Sequence, residues 1–254
     1  MTGRALATIG RILLAIVLMA VVCGCAAPRL EAEIPARHTL DEFIETERQD
    51  DPLDIYDPVE RFNRGVYRFN YYADNYVFLP VVNFYEFVTP VFLQDRVSNF
   101  FNNVSELSTL ANCILQLKPK CTAKTVGRIV INTTLGIGGM FDPATQWQID
   151  RQREDFGQTL GYYGAGPGPF VVLPFMGPSN LRDTIGLSAD IGGFFFIDPF
   201  DFEHNKALGL AFDTMYLVDM RHKIKFRYFE SGSPFEYELI RMLYTKARES
   251  EIRN

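Results

Sequence analysis

The residue types that usually carry catalysis are sparse in this chain. It holds three histidines, His38, His204 and His222. The last two fall several turns apart on one predicted helix, and a solvated or hydrogen-bonded helix histidine is the simpler reading of each. Neither an H-E-x-x-H pair nor a Walker A lysine occurs, so the spacings that bind a catalytic zinc or cradle a triphosphate are missing. A G-x-S-x-G nucleophile elbow is missing too. Gly164, Gly166 and Gly168 imitate part of a dinucleotide fingerprint, but Pro167 and Pro169 interrupt them and no helix can open there. The expectation is a protein that is not an enzyme and takes neither a cofactor nor a metal.

The chemistry that the sequence does specify belongs to cysteine. The first segment, MTGRALATIGRILLAIVLMAVVCGCAAP, places Arg4 and Arg11 around the start of an apolar run from Ile12 to Val22. That run is too short for a comfortable spanning helix and suits a signal-peptide core. It ends at Val22-Cys23-Gly24-Cys25, which resembles a bacterial lipobox: an aliphatic residue, a small residue just before the cysteine, and a thiol that takes diacylglycerol. An ordinary secretory signal with an incidental cysteine is the other reading. Ala26 follows where an Asp would retain a lipoprotein at the inner membrane, so it points to the outer membrane. One acyl chain holds a protein weakly and two hold it stably, which makes Cys25 the expected lipid anchor.

Cys23 leaves with the signal, and cleavage also removes Arg4 and Arg11, so the mature chain is more acidic than the precursor. Cys113 and Cys121 remain, an even pair in an oxidising compartment. A disulfide between them is expected, with two unpaired thiols as the alternative. A metal site there is disfavoured, because none of the histidines lies near the pair.

The chain's 254 residues suffice for one large domain with its own core. Hydrophobic residues make up 47%, an ordinary share, but 22 Phe and 12 Tyr beside one Trp are not ordinary. Such rings favour cores, interfaces and the membrane–water boundary. The formal net charge of -6 argues against nucleic acid as a partner and against polybasic attraction to anionic lipid. The organisation reads as a signal peptide over 1–24, a lipidated N-terminus and tether over 25–50, and one body over 51–254.

Helix signals dominate that body. Asp57, Pro58 and Glu60 form a capping-box pattern before Phe62, Val66, Phe69 and Ala73 at helical spacing. Thr122 and Ser179 are placed to cap two further helices, and Ser233 with Pro234 and Glu236 repeats the capping box near the end. The proline-free segment from Glu203 to Glu230 suits one long helix. The best strand candidate is PFVVLPF, held by Pro169 and Pro174 to a short edge strand at most. No mature segment reaches the apolar length of a spanning helix. Aromatics crowd at Phe194–Phe200 and over YYADNYVFLPVVNFYEFV; they are either core or the faces of helices lying in a membrane plane.

Two segments stand out as candidate sites. In GYYGAGPGPFVVLPFMGPSNLRD, Gly161, Gly164, Gly166 and Gly168 alternate with prolines and large apolar residues, and Arg182 and Asp183 close the run. In LGIGGMFDP, Gly136, Gly138 and Gly139 follow a helix and suit a C-cap and turn. Arg182 and Asp183 read most simply as a local ion pair or a helix-start charge.

DPVERFNRGVYRFN, NTTLGIGGMFDPA, FGQTLGYYGAGPGPFVVLPFMGPSNLRD and SPFEYELIRMLYTKARE, in this order, resemble the MlaA (VacJ) family of outer-membrane lipoproteins over about residues 51 to 250. The resemblance implies a mainly α, single ring-like (doughnut) helical domain lying in the membrane plane, with a central amphipathic channel. It implies association with a trimeric porin, and removal of phospholipid from the outer leaflet to a soluble periplasmic carrier protein. By the same resemblance Gly138 and Gly139 match a hinge beside the channel, with Met140 and Phe141 as its apolar tip. Irregular backbone at membrane depth is tolerated only where it lines a cavity or is buried in protein. The stretch from Gly161 would suit that need, and a packed connector between helices is its other reading. Cys113 and Cys121 are no part of the family pattern.

Overall fold

The computed structural model describes residues 55–230 and 232–253. The signal segment, Cys25 and the tether lie outside them. Nine α-helices and one two-stranded sheet follow in order within the described residues. The first three helical pieces are α1 (Glu60–Ala73), a π-helical turn (Asp74–Phe78) and α2 (Leu79–Val88). The backbone stays helical through both junctions, so these form one continuous rod. The π-helical turn within it has a cause: Pro80 offers no N–H and its ring crowds the carbonyl one turn back, which the wider turn relieves. Thr89, extended as residues before proline tend to be, ends the rod at Pro90.

Next come α3 (Val91–Leu115) and α4 (Pro119–Thr134), packed as a hairpin, then a short α5 (Pro143–Gln146) and α6 (Phe156–Tyr162). Strands β1 (Phe170–Leu173) and β2 (Gly177–Asn180) pair antiparallel, with Phe170 opposite Asn180 and Leu173 opposite Gly177. Helices α7 (Leu181–Ile197), α8 (Lys206–Lys223) and α9 (Glu236–Arg253) complete the order. Among the described residues, no helix is long and apolar enough to cross a membrane.

Several helix starts differ from the sequence expectation. α1 begins at Glu60 rather than Pro58, and Asp57 does not cap it; its carboxylate instead accepts hydrogen bonds from Asn63 Nδ2 (2.7 Å) and the Tyr237 hydroxyl. Thr122 lies inside the first turn of α4, which Pro119 opens, and donates back to the Lys118 carbonyl. The cap of α7 is Asn180, one residue beyond Ser179, and it accepts from Asp183 N at 2.8 Å. The proline-free segment is only partly helix. α8 stops at Lys223, where Arg221 turns back to the carbonyls of Ile224 and Phe226 and stabilises the non-helical run that follows.

The small apolar core comprises Val66 and Tyr67 of α1, Phe170 and Val172 of β1 and Tyr237 of α9. Around it the usual burial pattern is reversed. The inward face of α3 carries Gln94, Glu106, Thr109 and Asn112, while Val91, Phe92, Ile114 and Leu115 of the same helix face outward. On α1, Asn63 and Asn70 are buried while Phe62 and Phe69 are about half exposed. Phe87 is 88% exposed and Phe196 is 91% exposed, yet Arg128 is 2% exposed. Apolar spacing therefore finds the helices but not the face that goes inside.

Candidate functional site

Two asparagines place the hairpin. Asn63 and Asn70, two turns apart on one face of α1, work against the open edge of β1. Asn63 donates to Phe170 O and accepts from Val172 N, both at 3.0 Å. Asn70 donates to Leu173 O at 2.9 Å and accepts from Phe175 N at 2.7 Å. The side-chain amides stand where a third strand's backbone would be and take up hydrogen-bonding groups of the sheet edge on that side. This fixes the hairpin tip, where Phe175 sits at positive φ and Gly177 follows at φ +84.

The tip borders two adjoining cavities. The larger, about 270 Å³, lies between the π-helical turn, the hairpin tip, the end of α8 and α9. Its lining is mostly apolar, with Phe78, Phe175, Met176, Ile224, Phe226 and Leu243 prominent. Asp74 and Arg221 form its charged floor and meet in a two-point pair, with Arg221 Nη2 2.7 Å from Asp74 Oδ2. The smaller, about 210 Å³, shares Met176, Pro178 and Tyr244 with the first and reaches Asp155, Asp183, Asp190 and Arg248.

Arg182 and Asp183 do form a local ion pair, with Arg182 Nε 2.9 Å from Asp183 Oδ1. They also do more. Asp183 Oδ2 accepts from Arg248 Nε and from the Tyr244 hydroxyl, each at 2.8 Å. Arg248 in turn holds Asp155, which caps α6. One carboxylate thus joins α7 to α9, and through Arg248 to α6. Burial alone would raise the pKa of Asp183, but the hydrogen bond and charge of Arg248, with Tyr244 and Arg182, outweigh it and hold the group below the ordinary carboxylate range.

The glycine-rich stretch divides by position. Gly161 lies on α6, tight against Ile252 and Arg182. Gly164, Gly166 and Gly168 lie on an exposed connector, pinned where Leu181 N and Arg182 N donate to the carbonyls of Pro169 and Pro167. The part of the motif that borders the cavities is its later half, Phe175 to Pro178. A contact absent from the sequence reading lies nearby. A Cβ on Gly186 of α7 would stand 2.2 Å from Gly157 N of α6, so the two helices cross backbone against backbone.

The loop Leu135–Phe141 folds back over the end of α4. Gly138 N and Gly139 N donate to the carbonyls of Thr133 and Asn132, both at 2.9 Å. Gly138 (φ +67) has open space, whereas Gly139 (φ +89) abuts Asn103 and Gly136 abuts the carbonyls of Asn132 and Phe141. Met140 and Phe141 are partly exposed, and the Arg96 guanidinium lies 4.4 Å from the Phe141 ring centre. The loop stands on a buried charged cluster. Arg128 is 2.7 Å from Glu106 and 3.0 Å from Asp142, and it donates to Thr145 and to Ile149 O. Burial raises the pKa of Glu106 despite Arg128. Asp142 is held below its usual value: burial works against this, and hydrogen bonds from Thr145, Arg128 and Asn132 prevail. Glu106, Arg128, Asn63, Asn70 and Arg248 escaped the sequence reading; Arg128 in the apolar run GRIVI was the one visible signal.

Cys113 and Cys121 are bonded, with 5.7 Å between their Cα atoms, and clamp the end of α3 to the start of α4. Among the described residues, no group of histidine, cysteine or carboxylates could hold a metal ion.

Charged interior, apolar exterior and short irregular segments at the cavities define a class: a mainly helical protein built to sit among apolar surroundings. The MlaA lipoprotein family model matches residues 55–251, and the chain belongs to this family. It is 45% identical over 131 residues to an uncharacterised protein of Rickettsia prowazekii, which covers 52% of each chain. It is 40% identical over 143 residues to the intermembrane phospholipid transport system lipoprotein MlaA of Escherichia coli, covering 55% of this chain and 56% of that protein. The chain thus spans about half the length of these relatives. A solved structure described as "Structural basis for maintenance of bacterial outer membrane lipid asymmetry" matches with a TM-score of 0.63 and 27% identity, over 77% of this chain and 98% of that one.

Proposed function

We propose that this protein is an outer-membrane lipoprotein, anchored through Cys25 at the periplasmic face, that removes misplaced phospholipid from the outer leaflet. It passes the lipid to a soluble periplasmic carrier and so maintains lipid asymmetry. Its body is a ring in the membrane plane with an amphipathic channel, seated beside a trimeric porin. It acts as a passive conduit rather than an enzyme. The observation that carries this reading is the reversed burial: Glu106 and Arg128 inside, Phe87 and Phe196 outside. A phospholipid head cannot cheaply cross hydrocarbon, and a protein that is polar within and apolar without offers the head a polar route while its tails stay in oil. Family membership and the transport name of the Escherichia coli relative support the same reading.

The test is deletion of the gene, with outer-leaflet phospholipid read by acyl transfer to lipopolysaccharide. A rise that wild type reverses and Cys25→Ala does not is the expected result. No rise, with redundant lipid-removal enzymes also deleted, would overturn lipid transport and leave a scaffold for a porin.

A further inference from the structure

We propose that the larger cavity behind the hairpin tip is a pocket for one acyl chain of a phospholipid. The proposal rests on the transport reading above and names the place where the protein holds the lipid tail.

Three observations converge. First, the polar groups in the cavity wall already have partners. Asp74 and Arg221 take each other, Arg221 also takes two backbone carbonyls, and Asn70 is engaged by the hairpin backbone. A polar ligand would lose its water and find little new to bond, whereas a hydrocarbon chain asks for nothing but contact. Second, the remaining lining is apolar apart from the hydroxyls of Tyr228 and Tyr244, of which Tyr244 already donates to Asp183, and the volume lies just below that of small-ligand pockets, enough for part of a chain and not for a whole lipid. Third, the mouth runs into the outer apolar surface. Phe175 is 59% exposed and its ring centre lies 5.1 Å from that of Phe69, itself outward-facing on α1. Met176 and Leu243 at the same mouth are about half exposed. A chain leaving a bilayer that wets this surface can enter without crossing water. The hairpin tip, held from behind by Asn70, forms the lip.

The experiment uses the purified full chain in vesicles of phosphatidylethanolamine and phosphatidylglycerol, with a trace of phosphatidylglycerol carrying a diazirine on one acyl chain. After irradiation the adducts are mapped by peptide mass spectrometry. Adducts are expected on the peptides holding Phe175–Met176 and Ile240–Leu243. Leu243→Trp fills the mouth from a half-exposed position, and cavity adducts should fall about fivefold while those near Phe196 persist. Should Leu243→Trp fail to fold, Ile224→Trp fills the same space from the opposite wall. Adducts near Phe196 alone, or cavity adducts unmoved by either filled variant, would overturn the pocket. So would cavity labelling by a free diazirine fatty acid but not by the phospholipid. Failure here with a normal deletion phenotype sinks the pocket and leaves transport standing. Cavity labelling without that phenotype supports the pocket and counts against transport.

Discussion

Arg248 on the last helix and Asp155 at the head of α6 meet fork to fork, Nη1 to Oδ2 at 2.7 Å and Nη2 to Oδ1 at 2.8 Å. The same guanidinium reaches Asp183 through Nε. One side chain therefore fastens three helices beside the smaller cavity. Arg248→Ala should leave Asp183 buried without its main partner and destabilise the body by about 2–3 kcal/mol. Thermal melting of the purified protein in detergent checks this; a change within about 0.5 kcal/mol, as for an ordinary surface site, would show the clamp to be incidental.

Arg128 offers a sharper case. Removing it, as in Arg128→Met, strands Glu106 in the interior next to the partly exposed Asp142 and should cost about 3–5 kcal/mol. Glu106→Gln keeps a hydrogen-bonding group of the same shape and removes a charge whose pKa burial already raises, so its cost should be clearly smaller. Equal losses in the two variants would contradict this ordering.

Acid should loosen the fold through particular groups. Asp183 and Asp142 have folded pKa values below their unfolded ones. Their contribution is complete above the unfolded aspartate value of about 3.9 and drains as pH falls through the folded values. Glu106 works in the opposite sense: its folded value is raised, so its contribution is full below an unfolded value of about 4.3 and is lost as pH rises through the folded one. Melting temperatures from pH 7 to 3 should fall at the acid end, and Asp183→Asn should flatten that fall.

The loop glycines should separate cleanly. Gly136→Ala would set a methyl 2.3 Å from Asn132 O and 2.4 Å from Phe141 O, both backbone atoms. The loop must shift, at a cost of about 3 kcal/mol. Gly138→Ala meets open space and only the strain of its positive φ, about 1 kcal/mol. Melting temperature and outer-leaflet phospholipid should both change more for Gly136→Ala than for Gly138→Ala.

Reduction gives a fifth handle on stability. Cys113 and Cys121 close a loop of eight residues' separation, for which chain entropy gives about 2.5 kcal/mol. Cys113→Ser with Cys121→Ser should lower the melting temperature accordingly, and a reductant should have no further effect on that variant. An unchanged melting temperature would count against a stabilising bond.

Most helices were legible, because their start signals and apolar spacing are local. The capping residues were off by one to four positions: Asp57 gives its carboxylate to Asn63 and Tyr237, and Thr122 lies within its helix and donates to the carbonyl of the actual cap, Lys118. β1 was legible from PFVVLPF, but its partner GPSN carries no strand signal and exists because the tip at Phe175 turns the chain back. The candidate site was legible only in part. Phe175 to Pro178 and the Arg182–Asp183 pair lay within the quoted motif, while Asn63, Asn70, Glu106 and Arg128 did not stand out. Polar residues on a helix ordinarily face water, and apart from Arg128 within the apolar run GRIVI nothing local says that here they face inward.

The reversed burial also bears on heat. A water-soluble fold of ordinary make buries enough apolar surface for its unfolding heat capacity to reach about 12–15 cal/mol/K per residue, which bends its stability curve into a steep dome. Here much of the interior is amide, carboxylate and guanidinium, and large side chains such as Phe196 stay outside. Exposure of polar groups lowers the heat capacity rather than raising it. Calorimetry should therefore find a shallow dome, and the body should hold together almost as well in the cold as at growth temperature.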